Sequence, residues 1–283
     1  MSLSLTTAVP DADLRSSVLQ LAAEIEDADG APPLSDQTLT QLASTNVTHF
    51  LARDEDRFVG YAQLDGSGLE IAATGAAVDA LLDAAGTAAA SPVLVWSHGR
   101  RSRLVPVLEQ RGFERTRELH QLRRPLGADA PLPADPPLAE GVVVRPFVPG
   151  ADDDDWLAVN AAAFATHSEQ GRWTTADLQA RIAEPWFDPA GFLLAERDGE
   201  LLGFHWTKVH PDGAGEVYVL GVAPRAQSLG LGRGLLIRGL RHLLDQGSPY
   251  VLLYVDGDNP SAMRLYEREE FTKYDLDVQW TTP

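Results

Sequence analysis

The stretch 223-APRAQSLGLGRGLLIRGLRHLL-244 decides how this chain reads. An apolar run ending at Val222 leads into it, Gly230, Gly232 and Gly234 crowd its middle, and a basic amphipathic helical pattern closes it. A strand, a glycine loop and a helix in that order leave several backbone N–H groups unpaired at the positive end of the helix. Such a loop is a seat for an anion, because glycine lets backbone approach a phosphate closely, and Arg225 and Arg233 flank it with charge. Two nucleotide loops can be tested by spacing. The dinucleotide fingerprint needs glycines at i, i+2 and i+5, whereas these fall at i, i+2 and i+4; the P-loop needs a Gly-Lys-Ser/Thr ending that is absent. A glycine-rich turn holding nothing remains open on the loop alone.

Outward from the loop, the chain repeats itself. FLARDEDRFVGYAQL (50–64) mirrors LLAERDGELLGFHWT (193–207), LEIA (69–72) answers GEVYVLGV (215–222), and VLVWSHG (93–99) answers VLLYVDG (251–257). The first pair reads as an apolar strand, a charged turn and another strand, and the other pairs repeat in the same order, so the expected fold is two tandem α/β units with a mixed sheet. The Pro- and Ala-rich segment 127–141 reads as a linker, giving units at 1–126 and 142–283. Where the second unit has its glycine loop, the first has the Ala-rich helix pattern ATGAAVDALLDAAGTAAASP, so it is expected to hold the same ligand poorly or not at all. The acidic run Asp152–Asp155 reads as carboxylates favoured at a helix start.

Composition narrows the class. The 283 residues are 44% hydrophobic with a net charge of −18 and no cysteine. That balance excludes disulfides, thiolate metal sites and a cysteine nucleophile, and it argues against nucleic acid as a partner. The N-terminus has no basic region with an apolar run behind it, so neither a membrane span nor a signal peptide is expected and the cytoplasm is the default compartment. No His/Asp/Glu spacing suggests a metal.

QSLGLG resembles the Q/R-x-x-G-x-G/A loop of the GCN5-related N-acetyltransferases, and DNPSAMRLYEREEF (258–271) resembles their later motif, an Asn opening a helix with a Tyr near its end. HSEQGRW, EPWFDPAGF, LLGFHWTKVHPD and GEVYVLGV are similar to the catalytic half of the mycothiol synthases, tandem members of that family. The resemblance implies acetyl-CoA as co-substrate, held by Leu220, Gly221 and Val222, by the loop Gln227, Ser228, Leu229, Gly230, Leu231, Gly232 and Arg233, and by Asn259, Pro260, Ser261, Ala262, Met263 and Arg264. It implies Glu216 as general base, through water, and Tyr266 as the acid for the departing thiolate. Asp36, Glu169, Lys208 and Tyr254 fall at acceptor-contact positions, and the implied acceptor is the amine of a cysteinyl-glucosaminyl-inositol, bound by a monomer. His205 and Trp206 read as packing. The sequence departs from the family at Ser228, where a glycine or arginine is usual, and at Glu269-Glu270, where Leu-Gly is usual. Two carboxylates at a helix end oppose the dipole and put local stability in doubt. An acetyltransferase for another amine and a non-catalytic acyl-CoA binder both stay open.

Overall fold

The computed structural model describes residues 3–66, 68–90, 92–165 and 170–282. The chain forms two compact units, one of Met1–Gln121, Val255–Pro260 and Lys273–Pro283, the other of Leu122–Tyr254 and Ser261–Thr272. The elements of the first half are β1 (Leu3–Thr7), α1 (Ala12–Asp29), α2 (Asp36–Thr40), β2 (Thr48–Asp54), β3 (Arg57–Asp65), β4 (Gly68–Ala73), α3 (Ala77–Ala88), β5 (Leu94–Ser97), α4 (Leu104–Gln110) and β6 (Glu114–Pro125). Then follow β7 (Val143–Pro146), α5 (Asp153–Ala163), α6 (Thr175–Ile182), β8 (Phe192–Arg197), β9 (Glu200–Val209), β10 (Gly215–Val222), α7 (Leu231–Asp245), β11 (Tyr250–Asp256), α8 (Pro260–Arg268) and β12 (Thr272–Thr281).

In the first unit β1 to β4 form an antiparallel meander, and β5 joins β4 in parallel at Gly68–Leu94 and Leu69–Val95. The end of the chain completes this unit: β12 pairs antiparallel with β5 from Val278–Ser97 to Thr281–Leu94, and the Trp280 indole N–H donates to Ser97 Oγ at 2.9 Å. A division at the linker assigns that strand to the second unit. The contacts put Lys273–Pro283 with the first, because Val278 and Trp280 lie in its core beside Leu69, Leu81 and Val95.

The second unit repeats the plan with β7, β8, β9 and β10 antiparallel and β11 parallel to β10. The β8–β9 turn has left-handed backbone at both Asp198 (φ 55) and Gly199 (φ 79), which suits a two-residue hairpin in a right-twisted sheet. Alternation along β9 puts helices on both faces. His205 Nδ1 bonds to the Leu235 carbonyl of α7 at 3.0 Å, while Trp206 meets Trp156 of α5 edge-on at 5.8 Å. Trp156, Phe192, Phe204 and Trp206 are fully buried and form the centre of this core. His205 is packing as expected: burial pushes its pKa down to about 4, and Gly239 has no Cβ because one would stand 2.1 Å from the imidazole.

The Pro-rich segment after β6 is tied to α7. Arg241 donates to Asp135 Oδ1 and to the Pro133 carbonyl, both at 2.9 Å, and Leu138 packs on the second core. Asp152 takes Arg145 and the Val148 N–H, and Asp153 takes the Gly150 N–H, so the acidic run serves the start of α5.

Candidate active site

Gly230 is the N-cap of α7 with φ 73, and no side chain caps the helix. The first helical bond runs from the Gly234 N–H to the Gly230 carbonyl at 3.2 Å. The N–H groups of Leu231, Gly232 and Arg233 therefore have no acceptor within the helix and stand at its positive end. Gly230 needs its left-handed backbone, but Gly232 does not share that conformation, and a Cβ there would meet nothing nearer than Leu265 at 3.7 Å and Val222 at 3.8 Å. The folded chain has room for alanine at 232, where glycine costs about 0.5–1 kcal/mol. The space suits a group from outside the chain, and a CoA diphosphate fits such a seat of donors. Ser228 is held at φ 77, a conformation that costs a non-glycine residue about 1–2 kcal/mol and is typical of strain kept at a binding loop.

The strand leading to the seat separates from its neighbour. β10 and β11 pair at Gly215–Val251 and Glu216–Leu252, and among the described residues no pairing of the two continues beyond. A bulge at Tyr218, between Val217 and Val219 in the β9 register, bends β10 at this point. The parting leaves an edge of β10 able to pair with an extended ligand.

Glu216 stands where the strands part and is buried. His210 Nε2 lies 2.7 Å from its Oε2, and Lys208 Nζ 4.0 Å from the same oxygen. The Lys208 ammonium in turn lies 5.2 Å from the Trp186 ring centre and 5.6 Å from that of Tyr218. Tyr218 is fixed by Arg181, whose Nε donates to its hydroxyl at 2.9 Å while the guanidinium covers Trp173 at 3.9 Å. His210 and these aromatics escaped the sequence reading. The available signal was the turn HPDGAGE, which closes with the His210 N–H on the Ala214 carbonyl at 2.8 Å and brings residue 210 back beside 216.

Tyr266 lies on α8, buried, with its ring edge-on to Phe271 at 5.6 Å. Burial pushes its phenol well above the ordinary value, so it stays protonated across neutral and mildly alkaline pH. The carboxylates that close α8 are compensated. Glu269 pairs with Arg233 at 2.5 Å; Glu270, in the left-handed cap position at φ 65, pairs with the buried Arg124 at 3.1 Å. Arg124 Nε also donates to the Glu269 carbonyl at 2.9 Å, supplying the positive charge that a helix C-terminus favours.

The remaining expected residues divide. Leu220, Gly221 and Val222 line β10 beyond the parting, Lys208 and Tyr254 sit on β9 and β11, and Ser261, Ala262, Met263 and Arg264 form the start of α8 in the second unit. Asn259 precedes Pro260 at the first position of α8, a favoured place for proline, and these two cluster with the first unit. Asp36 is exposed at the start of α2 in the first unit; Glu169 lies outside the described residues. Arg225 does not flank the seat as a free charge, because it pairs with Glu200 at 2.7 Å and donates to the Leu201 carbonyl at 2.9 Å. No metal-holding group of His, Cys, Asp or Glu occurs among the described residues, and no helix there is long and apolar enough to cross a membrane.

In the first unit Glu70 follows the corresponding parting of β4 from β5, but it is spent on structure. It accepts the Ser35 N–H at 2.6 Å and Oγ at 2.7 Å, and lies 3.6 Å from His98 Nε2, whose Nδ1 meets Asp277 at 3.1 Å. Burial works against charge on both partners, yet the bonds to Asp277 and Glu70 push His98 up to about 10, and His98 and Ser35 hold the Glu70 carboxyl below its ordinary value.

A glycine seat, a bulged strand leaving its parallel neighbour and a buried carboxylate at the parting define an acyltransferase of the GNAT class. The profile of the Acetyltransferase (GNAT) family matches residues 158–271. Among curated relatives, the Mycothiol acetyltransferase of Thermomonospora curvata is 48% identical over 279 residues, 95% of this chain and 93% of the relative. That of Streptomyces avermitilis is 49% identical over 282 residues, 94% and 91% of the two chains. The chain belongs to the mycothiol acetyltransferases, a branch of the GNAT family. Solved structures share the fold: a GCN5-related N-acetyltransferase from Sphaerobacter thermophilus (TM-score 0.74, 21% identity, 98% of this chain and 95% of that one) and a tandem GNAT protein of the clavulanic acid pathway (TM-score 0.72, 16% identity, 99% and 98%).

Proposed function

We propose that the second unit transfers the acetyl group of acetyl-CoA to the cysteinyl amine of a cysteinyl-glucosaminyl-inositol, a step of mycothiol biosynthesis. The observation that carries the reading is the pairing of a backbone anion seat at Gly230–Arg233 with a buried carboxylate, Glu216, where β10 leaves β11. The names of the relatives support the acceptor.

An α-amine titrates near ~8, so most acceptor is protonated at neutral pH and a base is needed. Glu216 takes that proton, through water, and the freed nitrogen attacks the thioester carbonyl carbon. The N–H groups of Leu220 and Val222 polarise the carbonyl and hold the pantetheine arm by strand-like pairing. The C–S bond then breaks, and Tyr266, protonated across neutral pH, donates its proton to the departing thiolate. His210, bonded to Glu216, fixes the carboxylate's orientation. The seat, with Gln227, Ser228 and Leu229 before it, holds the CoA, to which residues 259–264 are also assigned. Lys208, Tyr254, Asp36 and Glu169 are assigned to the acceptor. The chain acts as a monomer in the cytoplasm on this reading.

The test is acetyl-CoA turnover against a panel of small-molecule and peptide amines that includes the cysteinyl-glucosaminyl-inositol. That compound should be acetylated with the highest kcat/KM. A better rate on an unrelated amine would overturn the acceptor, and acetyl-CoA binding without turnover on any amine would overturn the enzyme.

A further inference from the structure

We propose that Glu269 sets the affinity of the second unit for CoA by holding Arg233 out of reach of the diphosphate, an inference that rests on the acetyl-CoA reading above. Arg233 is the third residue of α7, so its backbone N–H belongs to the anion seat and its side chain starts beside it. The side chain is already engaged. Its Nε lies 2.5 Å from Glu269 Oε1 and one terminal nitrogen lies 3.4 Å from Oε2, so both carboxylate oxygens face the guanidinium.

The two partners are unequal: the Glu269 side chain is 3% exposed and that of Arg233 35%. A carboxylate buried to that degree is strongly destabilised when its cation leaves, whereas Arg233 could serve another anion from the same place. The balance therefore keeps Arg233 on Glu269. Arg225, the other arginine next to the loop, is held by Glu200 and the Leu201 carbonyl. Both charges that the sequence puts beside the seat are thus neutralised from within. The diphosphate is left to the backbone N–H groups and the helix dipole.

The consequence is kinetic as well as thermodynamic. An acetyltransferase must expel CoA in every cycle, and the product carries the same diphosphate as the co-substrate, so a charge gripping it would slow release. Glu269 is placed to prevent that grip. The carboxylate stands in the turn that follows α8, three residues beyond Tyr266.

The experiment is a titration of CoA and acetyl-CoA at several ionic strengths into the full chain, its E269Q and E269L variants, and each combined with R233Q. Gln keeps the shape of Glu, and Leu suits a buried position, so at least one variant retains the fold. A freed arginine on a phosphate adds a charge-assisted hydrogen bond, and partial exposure tempers it, so CoA should bind about 5- to 20-fold tighter in E269Q and E269L. The salt dependence should steepen, and adding R233Q should return the affinity to within about 3-fold of the unmodified chain. Kinetics on S-acetylpantetheine, which lacks the diphosphate, should stay the same, a result that general loosening of α8 would not give. Unchanged or weaker CoA binding in a folded E269Q or E269L variant overturns the proposal while leaving the enzyme assignment intact. Failure of the unmodified chain to bind acetyl-CoA overturns the enzyme assignment instead.

Discussion

Replacing Gly232 by alanine should make the protein more stable, whereas valine at the same position should cost acetyl-CoA binding, because the loop motif admits only Gly or Ala there and the anion seat leaves no room for a branched side chain. The backbone at 232 lies outside the left-handed region, and the added Cβ would find Leu265 at 3.7 Å and Val222 at 3.8 Å, ordinary van der Waals distances. Nothing in the fold resists the methyl group, and removing a glycine from the first turn of a helix contributes about 0.5–1 kcal/mol. For a chain of this size that corresponds to a rise of roughly 1–4 °C in Tm. A phosphate oxygen bonded to the N–H groups of the first turn tolerates that methyl group, as the Gly or Ala of the loop motif requires, but would meet the branches of a valine. Displacing two such charge-assisted bonds from good geometry in Gly232→Val, each contributing about 1.5–3 kcal/mol, should weaken acetyl-CoA by 100-fold or more. Thermal unfolding and calorimetric titration of both variants measure the two effects. Full acetyl-CoA affinity in a folded Gly232→Val variant would refute the seat; an alanine variant that loses stability would refute the room seen at 232.

Glu216→Gln should lower turnover by about 10²-fold or more at neutral pH and recover part of it in alkaline buffer, where free amine is abundant, with acetyl-CoA binding unchanged; wild-type turnover across the pH range would remove Glu216 from the base role. His210→Gln should cost about 10-fold in kcat with little change in acetyl-CoA affinity, and a loss confined to that affinity would contradict its place beside the base. Tyr266→Phe should slow the reaction by about 10²-fold without recovery at high pH; recovery would show that the phenol is not the donor. Ser228→Gly relieves a left-handed serine and should stabilise the chain by about 1 kcal/mol while preserving acetyl-CoA binding, as checked by denaturant titration. His98 is raised to about 10 from an unfolded value near ~6.5, so its stabilisation is complete below that lower value and is lost as pH rises through 10; His98→Gln should abolish this alkaline slope in thermal unfolding.

Local patterns made much of this legible. The glycine loop, helix α7 and the tight Asp198-Gly199 turn depend on neighbours a few residues apart, where backbone conformation and residue type are directly linked. The capping box at Thr174 and Asp177 is of the same kind. Contacts between distant segments were not legible. Arg233 and Glu269 are 36 residues apart, and only their meeting in space turns two apparently unfavourable carboxylates into counter-ions. β12 pairs with β5 across some 180 positions, and a repeat in sequence carries no information about which unit its last strand completes. Glu216 could be picked out because a strand led from it to the loop; His210 could not, because its role depends on a hairpin bringing two side chains within hydrogen-bond distance.

The two glutamates at the two partings differ in what holds them. Glu70 and Glu216 both stand where a strand leaves its parallel neighbour; Glu216 is buried and Glu70 partly buried. Glu70, however, faces a histidine held charged between two carboxylates and takes both the N–H and hydroxyl of Ser35. Taking a proton would break an ionic network already closed within the unit, and burial would make each orphaned charge expensive. Glu216 faces one histidine and, at 4.0 Å, a lysine whose ammonium is shared with two aromatic rings. The first unit also has Ala-rich α3 where the second has the glycine seat. In the second unit the parting carboxylate accompanies a helix start that no side chain caps, whereas the same parting of strands in the first is closed by a salt bridge.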